Sequence, residues 1–260
     1  MSSIMTLKTY AKRIPFLAPA YRALRRRTPR TSKPAYVFQR QEWQDAADDS
    51  AARRARILNI LGYTKTSGSS YSAREFPAGY HEITIDGETF AGQRSPQTRL
   101  QHLPFDFEGK TLLDIGCNQG GMVFAVQDRL RWAVGLDFDY RMINACNLIR
   151  NEKKIENCSF YVFDIDRDPH ELIRDLIPES RVDVVFLLAV CMWVDRWREL
   201  IRFAAGISDV MVFETNGTDV QQDEQIAFLR QTYRDVTLLA KTSADDPKQK
   251  RRQLVIARNG

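Results

Sequence analysis

From residue 111 onward the apolar residues fall into short runs, separated by longer stretches with helical spacing. The runs are TLLDIG (111–116), WAVGLD (132–137), SFYVFD (159–164), VDVVFLLAV (182–190) and DVMVFETN (209–216). Short, nearly continuous apolar runs bounded by turn residues predict strands buried on both faces. The intervening segments 120–130, 140–153, 169–176, 195–205 and 219–233 carry the 3.6-residue spacing of amphipathic helices. Strand and helix in strict alternation predict a parallel sheet with helices on both sides. The end of the chain departs from this. DVTLLAK (235–241) and RQLVIAR (252–258) have only a loop between them, so they are expected to pair antiparallel, because parallel neighbours need a crossover. The expected fold is therefore α/β and doubly wound, with five parallel strands and a C-terminal antiparallel pair.

Upstream the pattern changes twice. Residues 41–61 have helical spacing, Ser67 to Ser72 form a Ser/Gly/Tyr-rich loop, and HEITIDGETF (81–90) alternates around Asp86-Gly87. That dipeptide is a hairpin signal, since a type I′ turn needs two positive φ angles. Ser95-Pro96 predicts the cap and first residue of a short helix. Residues 36–110 thus read as a helical and hairpin cap ahead of the domain at 111–260. Residues 1–35 form a third zone, an arm in which Leu17, Tyr21 and Leu24 share one helical face and Arg22, Arg25 and Arg26 lie off it. It reads either as a basic amphipathic helix starting near Pro19 or as a frayed, solvated terminus.

Charge sharpens the picture of the arm. Residues 1–41 hold ten Lys and Arg with no Asp or Glu, so the net +5 divides into +10 there and −5 over the rest. The arm, not the folded part, is where phosphate, lipid or RNA would be met. Pro15 and Pro19 interrupt its apolar residues and no small-residue cleavage site follows, so no secretory leader is expected. Cys117, Cys146, Cys158 and Cys191 are far apart without a CxxC pair. This points away from a disulfide framework or zinc site and towards a reducing compartment. The expected location is cytoplasmic, peripheral to the inner face of the membrane if the arm anchors there. No metal-ligand spacing occurs elsewhere, so a metal-dependent mechanism is not expected.

The chemistry concentrates in Leu112-Leu113-Asp114-Ile115-Gly116-Cys117-Asn118-Gln119-Gly120-Gly121. An apolar strand runs into a glycine turn and then a helix, whose first N–H groups point at whatever binds there. It is neither GxGxxG nor a P-loop. Asp137 ends the second strand, 21 residues after Gly116, where an acid can accept hydrogen bonds from ribose hydroxyls. Asp164 ends the third, within reach of an adenine amino group. The fourth strand opens into Ala189-Val190-Cys191-Met192-Trp193. Ligands of open α/β sheets bind at these carboxyl ends.

Taken together, these features resemble the class I S-adenosylmethionine (SAM)-dependent methyltransferases, a Rossmann-like family. LLDIGCNQGG looks like their first motif, Asp137 their second and Asp164 their third. Asn118 stands where many members have glycine, and Asn tolerates a left-handed backbone. The resemblance implies SAM as cofactor, held by Asp114, Gly116, Cys117, Asn118, Gly120, Gly121, Asp137, Phe138, Asp164, Ile165 and Ala189. Arg94 would reach the donor's carboxylate or an anionic acceptor. Tyr80-His81-Glu82-Ile83, then Phe90-Ala91-Gly92-Gln93-Arg94 and Gly109-Lys110, are similar to a subgroup that includes enzymes modifying the wobble uridine of tRNA. That similarity implies a cap over the donor.

Several residues carry two readings. Asp114 is expected to bond loop N–H groups beneath the ligand. Asp139 and Asp166 compete with Asp137 and Asp164, which fall directly at the strand ends. Phe138 either covers adenine or packs under the loop. His81, Asp195 and Glu214 are the candidate catalytic bases, Glu214 and Asn216 being expected at the acceptor rim. Asp195 otherwise caps a helix, and Trp193 is placed to stack on a sugar or base. Three acceptor hypotheses follow. The favoured one is a sugar hydroxyl in a glycan, lipid-linked saccharide or glycosylated metabolite, with the arm touching a membrane surface. The second is RNA, with the arm gripping phosphate. The third is an inactive SAM-fold binding module, against which the intact first motif speaks.

Overall fold

The computed structural model describes residues 50–64, 76–85, 87–242 and 251–260. The predicted arm, the first part of the 41–61 helix and the 67–72 loop lie outside them. Strands β5 (Thr111–Ile115), β6 (Trp132–Asp137), β7 (Cys158–Val162), β8 (Val184–Leu188) and β9 (Val210–Glu214) pair in parallel. β10 (Asp235–Ala240) and β11 (Leu254–Arg258) complete a seven-stranded sheet in the order β10-β11-β9-β8-β5-β6-β7. β11 runs antiparallel to both β9 and β10. The doubly wound sheet with its terminal antiparallel pair is thus as the apolar runs predict. The order reverses direction at β5, so β5 and β8 flank the switch point where such sheets bind ligands.

Side chains alternate across the central strands and fill two cores. On one face Leu113, Ile115, Val185, Leu187 and Phe213 pack with α6 (Trp197–Ile207) and α7 (Asp219–Thr232) through Leu200, Ala204 and Leu229. On the other, Leu112, Ala133, Phe186 and Val212 meet Val123 of α3 (Gly121–Phe124) and Ile143 and Cys146 of α4 (Tyr140–Glu152). Burying both faces is why these strands read as continuous apolar runs rather than alternating ones. The helix expected over 120–130 is shorter: α3 has four residues, followed by a 3₁₀ turn at Gln127–Arg129. Likewise 169–176 divides into a 3₁₀ turn, His170–Leu172, and the four-residue α5 (Ile173–Leu176).

The cap contains α1 (Ser50–Thr64), which lies against α4 with an Arg53–Glu152 ion pair. The predicted hairpin is β2 (Ile83–Ile85) with β3 (Glu88–Phe90). The flanking residues form a pair that the pattern did not predict: β1 (Gly79–His81) and β4 (Gly92–Arg94) run parallel, His81 opposite Arg94. The hairpin itself serves as the crossover. The two backbones approach so closely that a Cβ on Gly92 would lie 2.1 Å from the His81 carbonyl carbon. A short helix, α2 (Gln97–Leu100), follows Ser95-Pro96. Among the described residues no helix is long and apolar enough to cross a membrane.

Candidate active site

The loop from β5 to α3 is shaped by its own backbone. Gly116 has φ +82°, and a Cβ there would lie 2.5 Å from Val190 Cγ2. Its N–H and that of Cys117 donate to the Leu136 carbonyl at 2.7 and 2.9 Å, tying the loop to β6. Asn118 is left-handed, φ +53°, the conformation expected where relatives have glycine. Its carbonyl accepts the Cys117 and Cys146 thiols at 3.7 and 3.4 Å. Gly120 is the left-handed cap residue of α3. Gly121 opens the helix against the cap rather than the strand, since a Cβ there would sit 2.5 Å from His81 Cβ and Cγ.

Gln119, which carried no role in the sequence reading, joins loop to cap. Its buried side chain accepts from Tyr80 N at 3.0 Å and donates to the Ala78 and His81 carbonyls at 2.9 and 2.7 Å. His81 is buried, its ring 4.6 Å from that of Tyr80, and the Arg94 guanidinium lies 5.1 Å from the Tyr80 ring centre. No local pattern marks Gln119, because its partners lie about forty residues upstream.

The strand-end carboxylates divide their roles. Asp137 is 9% exposed and accepts from Asn118 N and Asp139 N, both at 2.9 Å. Burial pushes its carboxyl up to about 6, against the opposing pull of those N–H groups. Asp139, the competitor, caps α4 by accepting from Arg141 N at 3.0 Å and pairs with its guanidinium at 2.7 Å. Asp114 requires a correction. It accepts no loop N–H; Asp137 does. Asp114 is 2% exposed and its Oδ2 is buried without a hydrogen-bond partner. Burial, then the Asp137 charge, pushes its carboxyl up to about 7, with Arg99 opposing. Phe138 is 54% exposed, so it does not pack under the loop. Asp164 is half-buried, accepting from Asp166 N at 3.0 Å, and Ile165 is buried with its carbonyl 3.0 Å from His170 Nε2.

At the end of β8 the backbone turns sharply through Ala189, φ +58°. Its N–H donates to the Glu214 carbonyl at 2.9 Å and its carbonyl accepts from the Asn216 side chain. Asn216 also accepts from Met192 N at 2.9 Å and is wholly buried. Glu214 and Asn216 are therefore not at the rim. Glu214, 2% exposed, is held by Arg99, by Arg252 at 3.4 Å and by Arg94 at 3.9 Å. A carboxylate gripped by three guanidiniums holds cap and sheet together and is not placed as a base. Arg99 and Arg252 were missed for the same reason as Gln119. Asp195 is exposed. It does not cap α6: Asp166 accepts from the N–H groups of Asp195 and Arg196 at 2.7 and 3.0 Å. Trp193, in the turn Cys191–Trp193, is 43% exposed, whereas Trp197 is buried against Phe228.

The parts form a closed circuit. Loop joins cap through Gln119, cap joins β9 through Arg94 and Glu214, Glu214 joins Arg99, and Arg99 acts on Asp114 beside Asp137, which holds the loop again. Residues 106–236, half of the chain, match the family model described as a methyltransferase domain. The chain belongs to that family. The domain is a SAM-dependent methyltransferase domain. No curated protein sequence matches the chain. Among solved structures, EvdMO1 superposes with TM-score 0.56 and 13% identity over 82% of this chain and 48% of that one. Its N-terminal domain, solved in the presence of SAH and D-fucose, gives 0.55 and 13% over 80% and 97%. WbdD, a bifunctional kinase-methyltransferase, gives 0.57 and 20% over 78% and 46%. The chain thus spans about half the length of the longer EvdMO1 and WbdD chains. These likenesses show the fold. The residues present fit a cationic donor: Asp114 and Asp137 are buried carboxylates at the foot of the loop, and Asp114 Oδ2 has no hydrogen-bond partner.

Proposed function

We propose that this protein transfers the methyl group of SAM to a hydroxyl of a sugar, in a glycan, a lipid-linked saccharide or a glycosylated metabolite. The observation that carries this reading is Trp193, a large aromatic surface left 43% exposed at the carboxyl end of β8, on the same edge of the sheet as the donor loop. A flat exposed ring offers an apolar face with a polar tip, which suits the mixed surface of a saccharide. The N-terminal domain of EvdMO1, of the same fold, was solved with D-fucose present, which supports the same class of acceptor.

SAM supplies an electrophilic methyl on a sulfonium that carries its own leaving group. The protein's task is alignment, the largest contribution available to a bimolecular transfer. Gly116, Asn118 and Gly121 set the loop, Gln119 holds the cap over it, and Asp137, Phe138, Asp164 and Ile165 form the nucleoside side. Arg94 stands where cap meets β9, near the carboxylate end. A sugar hydroxyl gains from a base as it attacks. Exposed Asp195, close to Trp193 in sequence, and His81, against the donor helix, are the two residues left for that role once Glu214 is committed to its arginines. The basic arm would bring the domain to a membrane carrying a lipid-linked acceptor.

Incubating the protein with methyl-labelled SAM and separated RNA, saccharide and small-molecule fractions of the source cells tests the reading. Label is expected in the saccharide or glycosylated small-molecule fraction. Label confined to RNA would overturn it.

A further inference from the structure

The loop that follows β7 and the turn that follows β8 belong to strands three places apart in the sheet, with β5 and β6 between them. At the usual strand spacing their ends stand about 14 Å apart, yet the two segments are bonded to one another. Asp166 Oδ1 accepts from the N–H groups of Asp195 and Arg196 at 2.7 and 3.0 Å. In the opposite direction the Arg196 guanidinium donates to the Asp168 carbonyl at 3.0 Å and to that of Ile165 at 3.5 Å. The β7 loop is also closed on itself. Asp164 N donates to Asp168 Oδ2 at 2.7 Å, Asp166 N to Asp164 Oδ1 at 3.0 Å, and the N–H groups of Arg167 and Asp168 to the Asp164 carbonyl. On the far side, the turn Cys191–Trp193 is tied towards β9 by Met192 N donating to the Asn216 side chain. The segment bearing Trp193 and Asp195 is thus held between two fixed points, and Asp166 reaches it from the β7 loop.

We propose that Asp166 is a positioning residue, through which binding of the donor nucleoside fixes the segment that carries Trp193 and Asp195 for the acceptor. The inference rests on the reading above that puts Asp164 and Ile165 beside the nucleoside and Trp193 and Asp195 beside the acceptor. It does not depend on which atom receives the methyl group. The physical reason is local. Asp164, Ile165 and Asp166 are consecutive, so a ligand that bonds Asp164 and packs on Ile165 fixes the backbone from which Asp166 projects. A carboxylate fixed in that way is a better acceptor for two backbone N–H groups, because less of the ordering cost remains when they bond. A carboxylate lent by a distant loop would steady the start of α6 with or without donor. Dependence on the donor separates the two roles, since coupling between sites is reciprocal and a cap alone has none.

Hydrogen exchange of the full chain with and without SAH, the demethylated donor, tests this in the absence of any acceptor. Exchange over residues 191–197 is expected to slow by at least about fivefold when SAH binds. In Asp166→Ala, SAH should still bind, within about tenfold of wild-type affinity by calorimetry, but leave exchange over 191–197 unchanged. Asp166→Asn keeps an oxygen acceptor at the same reach and should restore the slowing. If Asp166→Ala does not fold, Arg196→Ala, which removes the returning guanidinium bonds, stands in for it and should diminish the slowing. No slowing over 191–197 in the wild type, undiminished slowing in the alanine variant, or no restoration by Asp166→Asn would overturn the proposal. The sugar reading is tested by the destination of the methyl label, and it stands or fails independently of this result.

Discussion

The carboxyl ends of β5 and β6 and the carboxyl end of β8 lie along one edge of one sheet, yet they are built differently. At the β5 and β6 ends polar groups are fixed by one another: Gly116 and Cys117 by the Leu136 carbonyl, Asn118 by Asp137, Gln119 by three backbone groups of the cap. At the β8 end, the proposed acceptor side, the backbone is fixed through Ala189 and Asn216, but the side chains of Trp193 and Asp195 are exposed. A site for an invariant donor gains from preorganisation, whereas specificity for an acceptor is written in a few projecting side chains on a rigid base. The contrast teaches where substitutions should separate stability from specificity.

The largest effect is expected from Glu214→Gln, which leaves three buried arginines around a neutral group. Breaking a buried ion cluster costs on the order of 3–5 kcal/mol, so denaturant melts should show a large loss of stability. If Glu214 were a rim base, activity would fall with stability unchanged, and the division between the two regions would break.

Next is the pH dependence set by Asp114. Its carboxyl is raised to about 7 in the folded protein, so between about pH 4 and pH 7 the folded state binds more protons than the unfolded one. This group therefore makes the donor-free protein less stable as pH rises through that window, with the full penalty present above it. Asp114→Asn should remove the penalty, making the variant more stable than wild type at pH 8 by on the order of 3 kcal/mol and similar near pH 4. A variant less stable than wild type at pH 8 would show that Asp114 is already satisfied within the fold.

Gln119→Ala removes three hydrogen bonds between loop and cap, two of them buried, at a cost of about 2 kcal/mol or more. Hydrogen exchange over residues 76–82 should quicken, and donor affinity should weaken with it. Unchanged protection there would mean that cap and loop are not coupled through this side chain. The smallest effect on stability, within about 0.5 kcal/mol, is expected for Trp193→Ala, because exposed side chains contribute little.

Most of the fold could be read from the chain because strands buried on both faces announce themselves as apolar runs, and the turn after β5 needs glycine or asparagine for its left-handed residues. What could not be read shares one physical cause: the partners are distant in sequence. Glu214 ends a strand, and a strand-end carboxylate reads alike whether it meets water or three arginines. Arg99 lies 115 residues from it. Gln119 sits in a glycine-rich turn where a polar residue suggests solvent, yet its partners are in the cap. The parallel pairing of β1 with β4 depends on a hairpin acting as a crossover, which short-range spacing does not encode. Asp114 was assigned to the loop because the motif places it beside the glycines, but the neighbouring strand supplies the acid that bonds them.

The most direct test of the account is one protein, Trp193→Ala, measured in two assays: SAM affinity by calorimetry, and methyl transfer into the saccharide fraction. The account predicts SAM affinity within about twofold of wild type and transfer reduced at least about tenfold, a loss of roughly 1.4 kcal/mol or more confined to the acceptor. Parallel loss of both, or full transfer into the saccharide, would contradict it.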